Sequence, residues 1–210
     1  MTPASRRLTG SPPSVPPGGG EGGVTVAELV VSLGLAGILA ATALATIGGS
    51  REALAAAGAA RYLASRLHLV RAASLSRGVH VAMVFQADAS DFCYGTVVDG
   101  NRNGVRTADI AAGTDRQVER CERLSDHFAG VTFGIGPGVT DPDSAASITG
   151  NPLRLGGSTV LSFGPDGGAT SGTVYLRSSS GPQYAVRVFG TTGRTRVLRF
   201  DSRSQRWGLP

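Results

Sequence analysis

From Val24 to Ile47 the chain reads VTVAELVVSLGLAGILAATALATI, an apolar run with a single charge, Glu28. At a rise of 1.5 Å per residue, Leu29–Ile47 extends about 28 Å, the thickness of a bilayer core. This length predicts a membrane-spanning helix over 24–47. Residues 48–78 keep helical character while losing the hydrophobicity. They are Ala-rich, and Leu63, Leu67 and Val70 fall at i, i+4 and i+7, one apolar stripe between arginines. No proline interrupts 24–78, so one helix is expected to continue through both segments, with a bend at Gly48-Gly49 and Gly78 as the residue that ends it.

Past Gly78 the period changes to two. In VHVAMVFQ, Val79, Val81, Met83 and Phe85 alternate with other residues, as in a half-buried strand. Further short strands are expected at 92–98, 131–135, 159–163, 173–177, 184–189 and 195–200, between Gly, Pro, Asp and Asn turns. The expected fold class is α+β: a long N-terminal helix, membrane-spanning in its first half, packed through its second half on an antiparallel β-sheet domain over 79–210. Residues 1–23 are rich in Pro, Gly and Ser without apolar periodicity and read as a disordered leader.

Composition changes this picture in three places. All 20 basic residues are Arg, which removes the P-loop lysine and every Schiff-base mechanism. The net charge of +5 sits at the C-terminal end, where Arg187, Arg194, Arg196, Arg199, Arg203 and Arg206 face Asp201 alone. Cys93 and Cys121 lack metal-ligand spacing and read either as one disulfide, if this region lies outside the cytoplasm, or as two buried thiols.

Glu28 asks for a partner, because a charge in an apolar helix costs a few kcal/mol at the bilayer centre. A cut between Gly23 and Val24 would create a new α-amino group in a chain whose fifth residue is Glu28, and the carboxylate could neutralise such an amine. With Gly23 before the cut, an apolar residue after it, Glu28 and then the apolar run, the segment resembles the class III signal segment of type IV pilins and pseudopilins. The resemblance implies that a prepilin peptidase cleaves after Gly23 and methylates Val24, and that Glu28 guides packing into a helical filament. The alternative secretory cleavage site, Ala43-Leu44-Ala45, follows an apolar run longer than the 7–15 residues such a signal needs.

The body narrows the resemblance. RYLASRLHLVRAASLSRGVHVAM is similar to the helix-to-strand passage of the GspH/FimT pseudopilins, LSFGPDGGATSGTVYLR to their F-x-P-x-G hairpin, and VFGTTGRTRV to their terminal T-G-R-x-R strand. This covers about 24–86 and 159–200. It implies a minor pseudopilin of a type II secretion system, anchored once in the bacterial inner membrane. The N-terminus would be cytoplasmic before processing and the C-terminal domain periplasmic. The implied partners are the prepilin peptidase, other pseudopilins or pilins and inner-membrane lipid, with no cofactor and no catalysis.

Two other patterns bear on chemistry. In DGNRNGVRTAD, Asp99, Asn101, Asn103 and Gly104 stand at positions one, three, five and six of a calcium loop, but Ile110 occupies position twelve and Asp109 is one residue early. Plain turn chemistry explains the same residues. Some type IV pilus members hold DNA through a G-R-x-R motif, matched by Gly193-Arg194-Thr195-Arg196. In a strand Arg194 and Arg196 project from one face and Arg199 from the other. The same text occurs in relatives without that role, so DNA is the second reading and assembly the first. No G-x-S-x-G or H-E-x-x-H sequence surrounds His68, His80 or His127, which read as surface or strand residues.

Overall fold

The computed structural model describes residues 23–88, 91–179 and 181–210, without the side chains of 42–50. The expected leader, apart from Gly23, and the side chains of Ala43–Ala45 therefore lie outside the described residues, while the backbone at Gly48-Gly49 is helical. Helix α1 runs Val26–Arg77. The chain divides into two compact units, one ending at Ala43 and one spanning Leu44–Pro210.

In the first unit the apolar side chains of α1 are exposed. Val26, Val30, Leu33 and Ile38 each retain more than 60% of their surface, with values of 79%, 64%, 66% and 65%. Among the described residues no helix is long and apolar enough to cross a membrane. The span expected over 24–47 is thus not met there. Of that span, the side chains of 42–47 lie outside the described residues.

In the second unit α1 supplies a stripe of small and apolar residues. Ala56, Ala59, Ala60, Leu63, Ala64, Leu67 and Val70 are all buried, at the 3–4 spacing of one helix face. The alanines let the helix lie close. A Cβ added at Gly58 would come within 2.8 Å of the Phe128 ring. The helix stops because Gly78 adopts φ +64° and donates its N–H to the Ser74 carbonyl at 3.0 Å.

Two antiparallel sheets pack on that stripe. The first is formed by β1 (Val81–Asp88), β2 (Asp91–Val98), β3 (Arg116–Gln117), β4 (Glu122–Arg123) and β7 (Val160–Phe163), in the order β3-β2-β1-β7 with β4 also on β2. The second is formed by β5 (Val131–Phe133), β6 (Leu153–Arg154), β8 (Gly172–Ser178), β9 (Tyr184–Phe189), β10 (Arg194–Asp201) and β11 (Arg206–Gly208), in the order β11-β10-β9-β8-β5 with β6 also on β8. A short helix, α2 (Thr107–Ala111), lies between β2 and β3.

Alternation divides each strand between two environments. Met83, Phe85, Leu161 and Phe163 from the first sheet and Val174, Leu176, Val186 and Val188 from the second join the α1 stripe in one core. The opposite face of the second sheet carries Tyr175, Ala185 and Phe200, covered by Val139 and Ile148 of the long β5–β6 connection. The opposite face of the first sheet carries Ala82, Val84, Val97 and Val160, covered by Val105. The antiparallel class holds as expected, and the strands form two sheets.

Candidate functional site

At the start of α1, Glu28 is engaged locally. Its carboxylate accepts the Thr25 backbone N–H and hydroxyl, each at 3.4 Å, and its own N–H donates to the Thr25 hydroxyl oxygen at 3.3 Å. This is a reciprocal capping box, carried by the text T-V-A-E, and a carboxylate there also complements the helix dipole. The sequence reading sought the partner of Glu28 in the α-amine at Val24 and not in Thr25. Val24 is 68% exposed, and a Cβ added at Gly23 would have no atom within 4 Å, so the backbone at Gly23-Val24 is uncrowded.

The arginine strand is ordered by its register. Arg194 lies opposite Phe189, Arg196 opposite Arg187 and Arg199 opposite Tyr184. Arg194 and Arg196 therefore share a face with Arg187 and Phe189, and Arg199 projects from the other face. The guanidinium carbons of Arg187 and Arg196 each lie 5.7 Å from the centre of the Phe189 ring, a cation–π arrangement. One rung across the sheet reads Arg154, Thr173, Arg187 and Arg196. Arg187 is held by an ion pair to Asp143 and a 3.0 Å hydrogen bond to the Thr173 hydroxyl. Asp141 lies in the same acidic turn. Burial works against its charge, but the Ser144 and Asp143 backbone N–H groups, the Ser144 hydroxyl and Arg154 hold its carboxyl below the usual range. Arg194 and Arg196 remain exposed, and no ion pair among the described residues includes them.

The glycine before these arginines has a packing role. Gly193 has φ +59°, and a Cβ there would sit 2.6 Å from the Gly167 carbonyl oxygen and 3.0 Å from Arg71 Nε. Gly167, at φ +87°, turns the F-x-P-x-G hairpin, whose Phe163 is fully buried. The two late motifs thus dock against each other and against α1. Gly193→Ala is expected to lower stability by about 2–3 kcal/mol, from a left-handed backbone and a backbone clash. Arg194→Ala is expected to change it by less than about 0.5 kcal/mol. Denaturant melts of the two variants check this difference.

In the loop after β2, Asp99 is buried and saturated by backbone. One carboxylate oxygen accepts the N–H groups of Asn101 at 3.1 Å and Arg102 at 2.7 Å, and the other accepts that of Gly104 at 2.8 Å. Asp115, also buried, accepts from Gly100 and Arg106, each at 3.0 Å. Asn101 accepts the N–H of Asn103 at 3.3 Å. Among the described residues no group of three His, Cys, Asp or Glu side chains is placed to hold a metal. The spacing that resembles a calcium loop here organises a turn.

Cys93 and Cys121 form a disulfide. It fastens the β4 segment to β2, and that segment meets α1 through polar contacts. Glu119 pairs with Arg66 and accepts the Thr96 hydroxyl, while Glu122 accepts the Tyr62 hydroxyl at 3.0 Å. Burial opposes the Glu122 charge, but the Tyr94 and Tyr62 phenols, Arg66 and His127 together hold its carboxyl below the ordinary range. His127 Nε2 stands 3.6 Å from that carboxylate, whereas His68 is exposed on α1 and His80 is half-buried before β1.

No curated protein and no solved structure matches the chain. The family model described as type II transport protein GspH matches residues 59–193, from the buried stripe of α1 to the glycine before β10. That is more than half of the chain, and the protein belongs to the GspH family.

Proposed function

We propose that the protein is a minor pseudopilin of a type II secretion system, a structural subunit of the pseudopilus. In this reading 24–47 anchors it in the inner membrane, the prepilin peptidase cuts after Gly23, Val24 becomes the methylated N-terminus and Glu28 pairs with an amine in the filament. The observation that carries the reading is the exposed apolar start of α1 with one carboxylate in its first turn. Such a surface is unfavourable in water and is normally covered by lipid or by other helices. The disulfide supports an oxidising compartment for the second unit. The test is co-purification of the tagged full chain from membranes with the other pseudopilins of the same cell. Recovery without any of them would contradict the proposal.

A second reading, a minor type IV pilin that binds DNA, is favoured by the exposed pair Arg194 and Arg196. If these contact phosphates, the detergent-solubilised full chain should bind DNA with a salt-dependent constant. Replacing both should flatten the slope of log K against log salt by about 1.4–1.8, from about 0.7 per contact on a single strand and 0.9 on a duplex. The pseudopilin reading predicts no appreciable binding near physiological salt. A salt-steep interaction lost in the double variant would reverse the order of the two readings.

A further inference from the structure

A groove of about 660 Å³ opens at one end of the second sheet, between Gly136-Pro137 and the turn from β10 to β11. Arg177, Arg199 and Arg206 line it, together with Trp207, and all three arginines are exposed. Arg199 and Arg206 lie on the sheet face opposite Arg194 and Arg196, while Arg177, Phe200 and Trp207 share the face of that pair, so the groove wraps the end of the sheet, at the other end of β10 from the G-R-x-R turn.

The groove carries net positive charge, three guanidinium groups against the one carboxylate of Asp201, which stands across from Arg206 in the β10–β11 pair. Elsewhere in the domain Arg66 is paired with Glu119, Arg123 with Asp88 and Arg187 with Asp143. Among the described residues no ion pair includes Arg177, Arg199 or Arg206. The one carboxylate in the groove wall, Asp201, is occupied by its own turn. It accepts the Arg203 N–H at 3.1 Å and the Ser204 hydroxyl at 2.7 Å. The groove is also partly preorganised. The Arg177 stem lies across Gly134, where an added Cβ would meet its Cδ at 3.1 Å.

We infer that this groove receives an acidic peptide segment of a protein partner. Guanidinium forks match carboxylates bidentately, and Phe200, Trp207, Pro137 and Pro182 add apolar wall for the intervening side chains. The volume falls in the range of ligand-sized clefts. Single-stranded nucleic acid would need an aromatic platform as well as positive charge. Trp207 is committed elsewhere: it packs against Tyr175 and Phe200 at 5.8 and 5.1 Å and donates its indole N–H to the Thr140 carbonyl at 2.6 Å.

The test is fluorescence anisotropy with the detergent-solubilised full chain. The probe is a labelled peptide of about eight residues alternating Glu and Leu. Its Gln-for-Glu counterpart and a single-stranded oligonucleotide of equal charge serve as comparisons. The acidic peptide should bind saturably and weaken steeply with salt. The triple variant R177Q/R199Q/R206Q should lose roughly tenfold in affinity, and R206Q alone about threefold. The R194Q/R196Q variant should change by less than about twofold, and the Gln peptide should not bind. Since these side chains are exposed, each variant should keep the wild-type melting temperature. No saturable binding of the acidic peptide, equal losses in the two sets of variants, or tighter groove-dependent binding of the oligonucleotide would each overturn the inference.

Discussion

Glu28→Ala is expected to leave the chain in the membrane but to remove it from the filament. Deleting a charge from an apolar helix eliminates a desolvation cost, so insertion should be no worse. An α-amine left without a carboxylate in a low-dielectric setting is a different matter, because breaking a buried pair costs about 3–5 kcal/mol. The capping box provides the control. Thr25→Ala removes the Thr25 side-chain half of the box, worth about 1 kcal/mol, and keeps the carboxylate. Crosslinking to neighbouring pseudopilins in membranes should therefore fall sharply in Glu28→Ala and little in Thr25→Ala. Equal losses would make the cap the whole role of Glu28, and unchanged crosslinking in Glu28→Ala would take that residue out of assembly.

Breaking the disulfide should have the largest effect on stability. Cys93 and Cys121 are 28 residues apart, and closing a loop of that length in the unfolded chain is worth about 3–4 kcal/mol. At about 2–4 °C per kcal/mol for a domain of this size, the melting point of Cys93→Ser/Cys121→Ser should fall by roughly 7–14 °C. The loss should begin at the β4 edge, where Glu119 and Glu122 hold α1 through Arg66 and Tyr62. Hydrogen exchange should show reduced protection there before the β8–β9 core is affected. Equal melting points with and without reductant would contradict this account.

The sequence was informative where burial imposes a period. β1, β2, β7, β8, β9 and β10 have a core face, and their expected bounds fall within two residues of those observed. β3, β4 and β6 are two residues each, too short to show alternation, and β11 is three. They were invisible for that reason, although Trp207 was a signal that the C-terminal end packs. The division into two sheets was equally hidden, because pairing is a long-range property that strand periodicity does not encode. The α1 stripe was only partly legible: Leu63, Leu67 and Val70 stood out, but the alanines that complete it are apolar without being distinctive. At the candidate sites, residue identity was informative and local hydrogen bonding was not. The second carboxylate Asp115 and the packing need at Gly193 depend on backbone geometry, whereas the T-x-x-E text before the apolar run is itself a signature of the cap at Glu28. Asn-Gly and Asp-Gly spacing could not separate a turn from a calcium loop, since the same carboxylate oxygens serve backbone N–H groups in one and a cation in the other.

Processing at the start of α1 is the step on which the pseudopilin account rests. N-terminal sequencing of the protein extracted from membranes, with Gly23→Ala alongside, tests it most directly. The account predicts a mature chain beginning Val-Thr-Val-Ala-Glu at Val24, bearing a methyl group on its amine, and an uncut chain for the variant. A mature protein beginning at Thr46, after the Ala43–Ala45 site, or a variant processed like the wild type, would contradict it.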